Sequence, residues 1–239
     1  MDPVAGVAIA SFTFLSKGLI RPVADELGRM ASDQVRSWRA TNLSKILKKA
    51  DGKLALQSDG QLSLNPKLVI KIAELGSLED DETLQDMWAG LIAASKGEDS
   101  NHLYVDILGS LSKGQAVILL QSCLRAEVEE TKGGLIFSPN HQSFKTEEIQ
   151  MMFGSDDMHA LDQALDDLRR KDLIDGGFDT NDDNEYVYIR PSALALHFVA
   201  RVSGERDSVR YYSDKIAARK QKLAKAAESA VPDDETQSV

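Results

Sequence analysis

One cysteine in 239 residues excludes an internal disulfide and a thiolate-rich metal site, and it fits a reducing cytoplasm. That residue, Cys123, lies in the apolar run AVILLQSCL, which predicts a buried structural thiol rather than a reactive one. Long hydrophobic runs are lacking too. The uncharged stretch from Pro3 to Ser16 is shorter than the ~20 residues of a membrane helix. Asp2 stands where a signal peptide carries basic residues, so no export signal is visible and a cytoplasmic protein is expected. Positive charge is scarce: 28 Lys and Arg face 38 Asp and Glu, for a net charge of −10 and a pI near 4.9. That balance argues against a general affinity for nucleic acid or anionic lipid.

Motifs that carry chemistry are also missing. The chain contains no G-x-G-x-x-G, P-loop, G-x-S-x-G or H-E-x-x-H, so nucleotide and hydrolase readings lack their phosphate cradle or nucleophile. The four histidines, His102, His141, His159 and His197, are scattered without metal-ligand spacing. Acidic pairs such as Asp80-Asp81, Asp156-Asp157 and Asp182-Asp183 fall at helix starts or in a loop, where capping and solvation account for them. Neither an enzyme nor a cofactor is expected.

What the chain does have is helical period. From Ser77 to Gly97, the residues Leu84, Met87, Trp88, Leu91 and Ile92 recur at i, i+3, i+4, i+7 and i+8, one stripe facing a core. Ser77 and the acids after it predict the helix start, and Lys96-Gly97 its end. Upstream, Pro22 suits the first turn of a helix reaching about Ala50, with Trp38, Leu43, Ile46 and Leu47 on its apolar stripe. Asp51-Gly52 and Asp59-Gly60 then predict a loop up to Leu62. Asn65-Pro66 opens a further helix that Gly76 ends.

The succession NPKLVIKIAELGSLE, an acidic turn, LQDMWAGLIAAS, a turn with His102, and YVDILGSLSKGQAVIL resembles the abortive infection alpha family, bacterial proteins linked to phage defence. The resemblance runs from Arg21 to Leu120 and is carried by Trp88, Leu91, His102 and Leu111-Ser112. It implies a part in antiviral defence and phage resistance, and it brings no catalytic residues with it.

Beyond Leu111 the pattern changes. Ser112 and Gln115 form a capping box at the start of a helix through Cys123 and Leu124. Gly133-Gly134 breaks the chain, LIF predicts a short strand, Thr146 starts EEIQMMF, and Ser155 caps a helix carrying Met158, Leu161, Leu165 and Leu168. LIDGGF and EYVYI alternate like two strands around an acidic loop. Pro191-Ser192 starts a last helix with Leu194 and Phe198. Helix, strand, helix, helix, hairpin is the winged-helix order. From Asp207 one more helix carries Val209, Tyr212, Ile216 and Leu223, before a tail expected to be disordered. The fold class is therefore mainly α. A helical part around Trp88 (1–110) precedes a winged-helix-like α+β part (111–203), then a C-terminal helix and tail (204–239).

Winged helices often hold DNA, and Arg169, Arg170 and Lys171 form a candidate phosphate grip. Between Ser155 and Glu185, however, those three cations face eleven carboxylates, where phosphate binding needs positive charge. The better expectation is a protein partner, met by Asp162, Asp166, Asp182 and Asp183 on one side and by the basic 210–225 stretch, with Arg219 and Lys220, on the other. The acidic face also fits the chain's own basic helix. The leading functional reading is a non-enzymatic protein-interaction component of bacterial phage defence. The alternatives are a DNA-binding winged-helix regulator and a membrane-acting effector using residues 1–19. The same N-terminal residues are also candidates for a contact between copies.

Overall fold

The computed structural model describes residues 33–55, 66–95, 102–179 and 185–229. The expected N-terminal helix, the Pro22 start, the Asn65 cap, the Lys96-Gly97 end, the candidate contact residues Asp182 and Asp183 and the final tail lie outside them.

Four helices make the first part: α1 (Asp33–Ala55), α2 (Pro66–Gly76), α3 (Glu82–Ala94) and α4 (His102–Gly109). In α1 the buried residues are Asn42, Leu43, Ile46, Ala50 and Leu54, one helical stripe. Trp38 is not on it, being 41% exposed. One turn before Asn42 the inward position belongs to Arg39, whose Nε donates to Ser77 Oγ (2.9 Å) and whose Nη2 donates to the Glu74 carbonyl (2.8 Å). The helix also runs on through Asp51-Gly52 to Ala55 instead of ending at Ala50. Two loop-favouring residues cost less than the burial of Leu54 returns.

Helix α3 is the centre of the first part. Trp88 is 1% exposed, with the bare backbone of Gly76 and the side chain of Ile46 beside its ring. The cap is Asp81 rather than Ser77: its carboxylate accepts from the Thr83 and Leu84 amides at 2.9 and 3.2 Å. Ser77 is buried instead, taken up by its bonds to Arg39 and to the Glu74 carbonyl. Proximity to the amides decided between the two, since only Asp81 directly precedes the first turn.

The second part begins with α5 (Lys113–Arg125), opened by the expected capping box. Ser112 Oγ accepts from the Gln115 amide (3.3 Å), and Gln115 Oε1 accepts from the Ser112 amide (2.9 Å). Strands β1 (Glu129–Glu130) and β2 (Ile136–Phe137) pair in a small hairpin of their own. The LIF segment therefore does not supply the first strand of the main sheet. That strand is β3 (Gln142–Lys145), followed by α6 (Thr146–Phe153), α7 (Met158–Arg170), β4 (Ile174–Phe178), β5 (Tyr186–Pro191) and α8 (Ala193–Val202). The sheet order is β3-β5-β4, antiparallel throughout, with Val187 opposite both Phe144 and Phe178. Helix, strand, helix, helix and hairpin thus appear in winged-helix-like arrangement.

Asp157, not Ser155, caps α7, accepting from the His159 and Ala160 amides. Leu161, Leu165 and Leu168 are buried as their spacing predicts, whereas Met158 is only half-buried. The expected single C-terminal helix is two, α9 (Ser208–Tyr211) and α10 (Ser213–Ser229), broken at Tyr212. The Tyr212 side chain is buried beside Cys123, and Leu223 is 45% exposed. Buried apolar side chains from Ile46 to Ile216 form one continuous core cluster. Helix α8 joins the parts: it lies against α3, and Arg201 and Arg206 donate to the carbonyl of Ala94 at the end of α3 (3.4 and 3.1 Å).

Candidate functional site

Helix α7 carries three cations at its end and a row of acids along its outer side. Its first partner is internal. Asp167 accepts from Gln115 Nε2 (2.8 Å), so the residue that closes the α5 cap also ties α5 to α7. Lys171, four residues on, binds the same carboxylate, and these bonds hold the Asp167 carboxyl below the usual range.

The other two cations are similarly placed. Arg169 Nη2 donates to Asp166 at i−3, and Arg170 stands 4.0 Å from the same carboxylate at i−4. Arg169 also extends Nη1 to the Gly176 carbonyl of β4 at 3.4 Å, which makes it a strut between helix and wing. The candidate phosphate grip of Arg169, Arg170 and Lys171 is thus brought together, but each member already faces a carboxylate one turn back on its own helix.

Between α7 and the β4–β5 hairpin lies an open groove of about 920 Å³. Met158, Asp162, Leu165, Asp166 and Arg169 form its helical wall, and Phe178, Asp179 and Tyr188 its wing side, with His141 and His159 also lining it. Asp162 and Asp166, expected as contact residues, are both here. Asp182 and Asp183 lie outside the described residues. Sequence reasoning missed Tyr188 and the Gly176-Gly177 pair. The signal was present in two adjacent glycines inside an otherwise alternating strand, which mark close approach of backbone.

Gly176 has φ +106°, and a Cβ there would stand 2.0 Å from the Tyr188 carbonyl oxygen, so only glycine fits. Gly177 stands opposite Tyr188 in the ladder and leaves that ring uncovered from β4. On the same face of the sheet, beside the groove, Arg190 donates to Asp175 (2.6 Å), the main cause of a lowered Asp175 pKa, with His141 at 3.4 Å.

The basic face of α10 does not meet the acidic face of α7. Its cations go to the β1 hairpin and the turn before it. Arg219 binds Glu127 (2.9 Å) and Glu129 (2.7 Å), Lys220 binds Glu130 (3.0 Å), and Lys222 binds Glu127 (2.6 Å). Nearer the base of α10, Lys215 caps the end of α5 by donating to the Leu124 and Ala126 carbonyls. The acids that receive α10 lie 90 to 95 residues upstream in a segment with no helical period, so the intramolecular alternative for the acidic face of α7 is not the contact that forms.

Among the described residues no group of three or more His, Cys, Asp or Glu is arranged to hold a metal ion. Among the same residues no helix is long and apolar enough to cross a membrane. Residues 1–19, the alternative membrane contact, lie outside them. A family model, abortive infection alpha, matches residues 39–234. It reaches well past the 21–120 stretch that carries the resemblance in sequence, through the winged-helix-like part and α10. No curated protein and no solved structure matches the chain.

Proposed function

The chain belongs to the abortive infection alpha family, and from that premise we propose that it works in phage defence as a non-enzymatic component that binds another protein through the winged-helix-like part. One observation carries this reading: the three cations at the end of α7 are already matched by Asp166 and Asp167. Among the described residues, the carboxylate on the outer face of the helix that has no ion pair is Asp162. Two unit charges 4 Å apart interact by about 1 kcal/mol even in bulk water, so a phosphate brought to this face meets Asp162 while Arg169, Arg170 and Lys171 are already engaged by Asp166 and Asp167. A basic protein surface meets the reverse.

Two measurements test it. Tagged full-length chain purified from phage-infected cells should retain a protein partner that Asp162→Lys releases. Fluorescence anisotropy with labelled duplex DNA at about 150 mM salt should show no binding up to about 10 µM protein. Micromolar binding abolished by Arg169→Ala and Arg170→Ala would overturn the protein reading in favour of a DNA-binding regulator.

A further inference from the structure

The groove between α7 and the wing already holds one guanidinium, and it belongs to the chain itself. Arg169 spans from the Asp166 carboxylate on the helix to the Gly176 carbonyl on the wing. One turn earlier on the same wall stands Asp162, exposed and without an ion pair among the described residues. On its other side the wing contributes Tyr188, Phe178 and the side-chain-free stretch Gly176-Gly177. A carboxylate on one wall, aromatic faces and open backbone on the other are the surroundings that suit a planar cation, which takes bidentate hydrogen bonds and stacks.

We propose that this groove binds the guanidinium of an arginine in an extended segment of a protein partner, with Asp162 as its carboxylate and Tyr188 as the ring it lies against. The proposal rests on the protein-interaction reading and names the chemistry of the partner. Three observations favour it over other occupants. The groove is open to solvent and about 920 Å³ in volume, room for a long side chain to enter from an extended segment. Its one arginine is already held by Asp166, which leaves Asp162 as a lining carboxylate without an ion pair among the described residues. The internal Arg169 bridge shows the geometry that the incoming side chain repeats four residues along. An ammonium has no plane to lay on Tyr188 and no fork for Asp162, so lysine is the poorer fit.

The test follows amide signals of the isotope-labelled full chain during titration with N-acetylargininamide, N-acetyllysinamide and N-acetylnorleucinamide at constant salt. Arginine should cause saturable shifts at Gly176, Gly177, Phe178 and Tyr188 with a dissociation constant on the order of millimolar. Lysine should bind at least about 3-fold more weakly, and norleucine should leave these signals unmoved. Asp162→Asn should weaken arginine binding about 5-fold or more, while Asp156→Asn, a carboxylate outside the groove, should change it less than about 2-fold. Shifts that do not saturate, or that appear equally at Glu127, Glu129 and Glu130, would overturn the site.

The partner experiment separates this from the broader reading. A protein captured equally by wild type and Asp162→Asn would leave protein interaction standing and overturn the groove. Saturable arginine binding with no captured protein would leave the guanidinium site standing and overturn the protein partner as its source.

Discussion

The carbonyl oxygen of Val202 occupies the space beside Gly90 so closely that a Cβ on Gly90 would stand 1.8 Å from it. This is where α8 crosses α3, and it brings the two parts of the chain into backbone contact. No shift of a flexible side chain relieves such an overlap, because the obstructing atom is main chain.

Gly90→Ala should therefore destabilise the protein by roughly 3 kcal/mol, the upper end of overpacking costs, despite alanine's better helix propensity. Gly52→Ala is the matched control. Gly52 also lies within a helix, but nothing stands within 4 Å of its would-be Cβ. There the substitution should stabilise by about 0.5–1 kcal/mol. Urea midpoints of the two variants should move in opposite directions; movement in the same direction would mean that the α3–α8 contact is not closely packed.

Trp88→Ala should cost roughly 3–5 kcal/mol, since the ring is enclosed by Gly76, Ile46 and its own helix and leaves a cavity when removed. An unchanged melting temperature would show that α3 does not organise the first part.

Helix α10 should come away from the β1 hairpin before the core unfolds. Its apolar anchors, Tyr212 and Ile216, sit at the base, and beyond them it is held by the pairs of Arg219, Lys220 and Lys222. Exposed pairs contribute about 0.2–1 kcal/mol each and weaken with salt. Arg219, with its side chain 15% exposed and two carboxylates bound, is the strongest of them. Arg219→Ala should speed amide exchange over 217–225 several-fold while leaving exchange in α3 unchanged. Raising salt should do the same to the wild type.

The same attachment should depend on pH in a defined direction. The Lys222 hydrogen bond, joined by Asn140 and the charge of Arg219, holds the Glu127 carboxyl below its ordinary value of 4.5. A carboxyl lowered in the folded state contributes stability that is present above that ordinary value and lost as pH falls through the lowered one. Exchange over 217–225 should therefore be level from pH 7 to about 5, after correction for intrinsic rates, and accelerate below about 4.5. Glu127→Gln should flatten that acid limb.

Cys123 should be silent in the native protein. Burial pushes its thiol pKa up, and the side chain has no exposed surface. A thiol reagent should label the folded chain negligibly and the denatured chain stoichiometrically; rapid native labelling would mean that α10 opens as far as Tyr212.

Much of this protein was legible from local pattern. The α3 stripe, the Ser112–Gln115 box and the β4–β5 alternation all depend on residues a few positions apart, and each formed as spaced. A cap or a period acts within one turn or one strand, so the sequence alone determines it. Where two adjacent candidates competed, as with Ser77 against Asp81 or Ser155 against Asp157, distance to the first free amides decided, and the helix start moved by a few residues.

The rest was decided by partners distant in the chain. QSFK became a strand because Val187 and its neighbours on β5 pair with it, more than forty residues later. Trp38 lost the inward position to Arg39, whose bonds to Glu74 and Ser77 come from another helix. The cations of α10 chose Glu127, Glu129 and Glu130 over the aspartates of α7 because the base of the helix is anchored beside α5, within reach of one acidic segment and not the other. The groove needed three separate elements, with Gly176 admitting the Tyr188 carbonyl where any side chain would have filled the space. Charge counts record how many ions a segment carries, but only the packed backbone brings particular ions within the few ångströms at which they act.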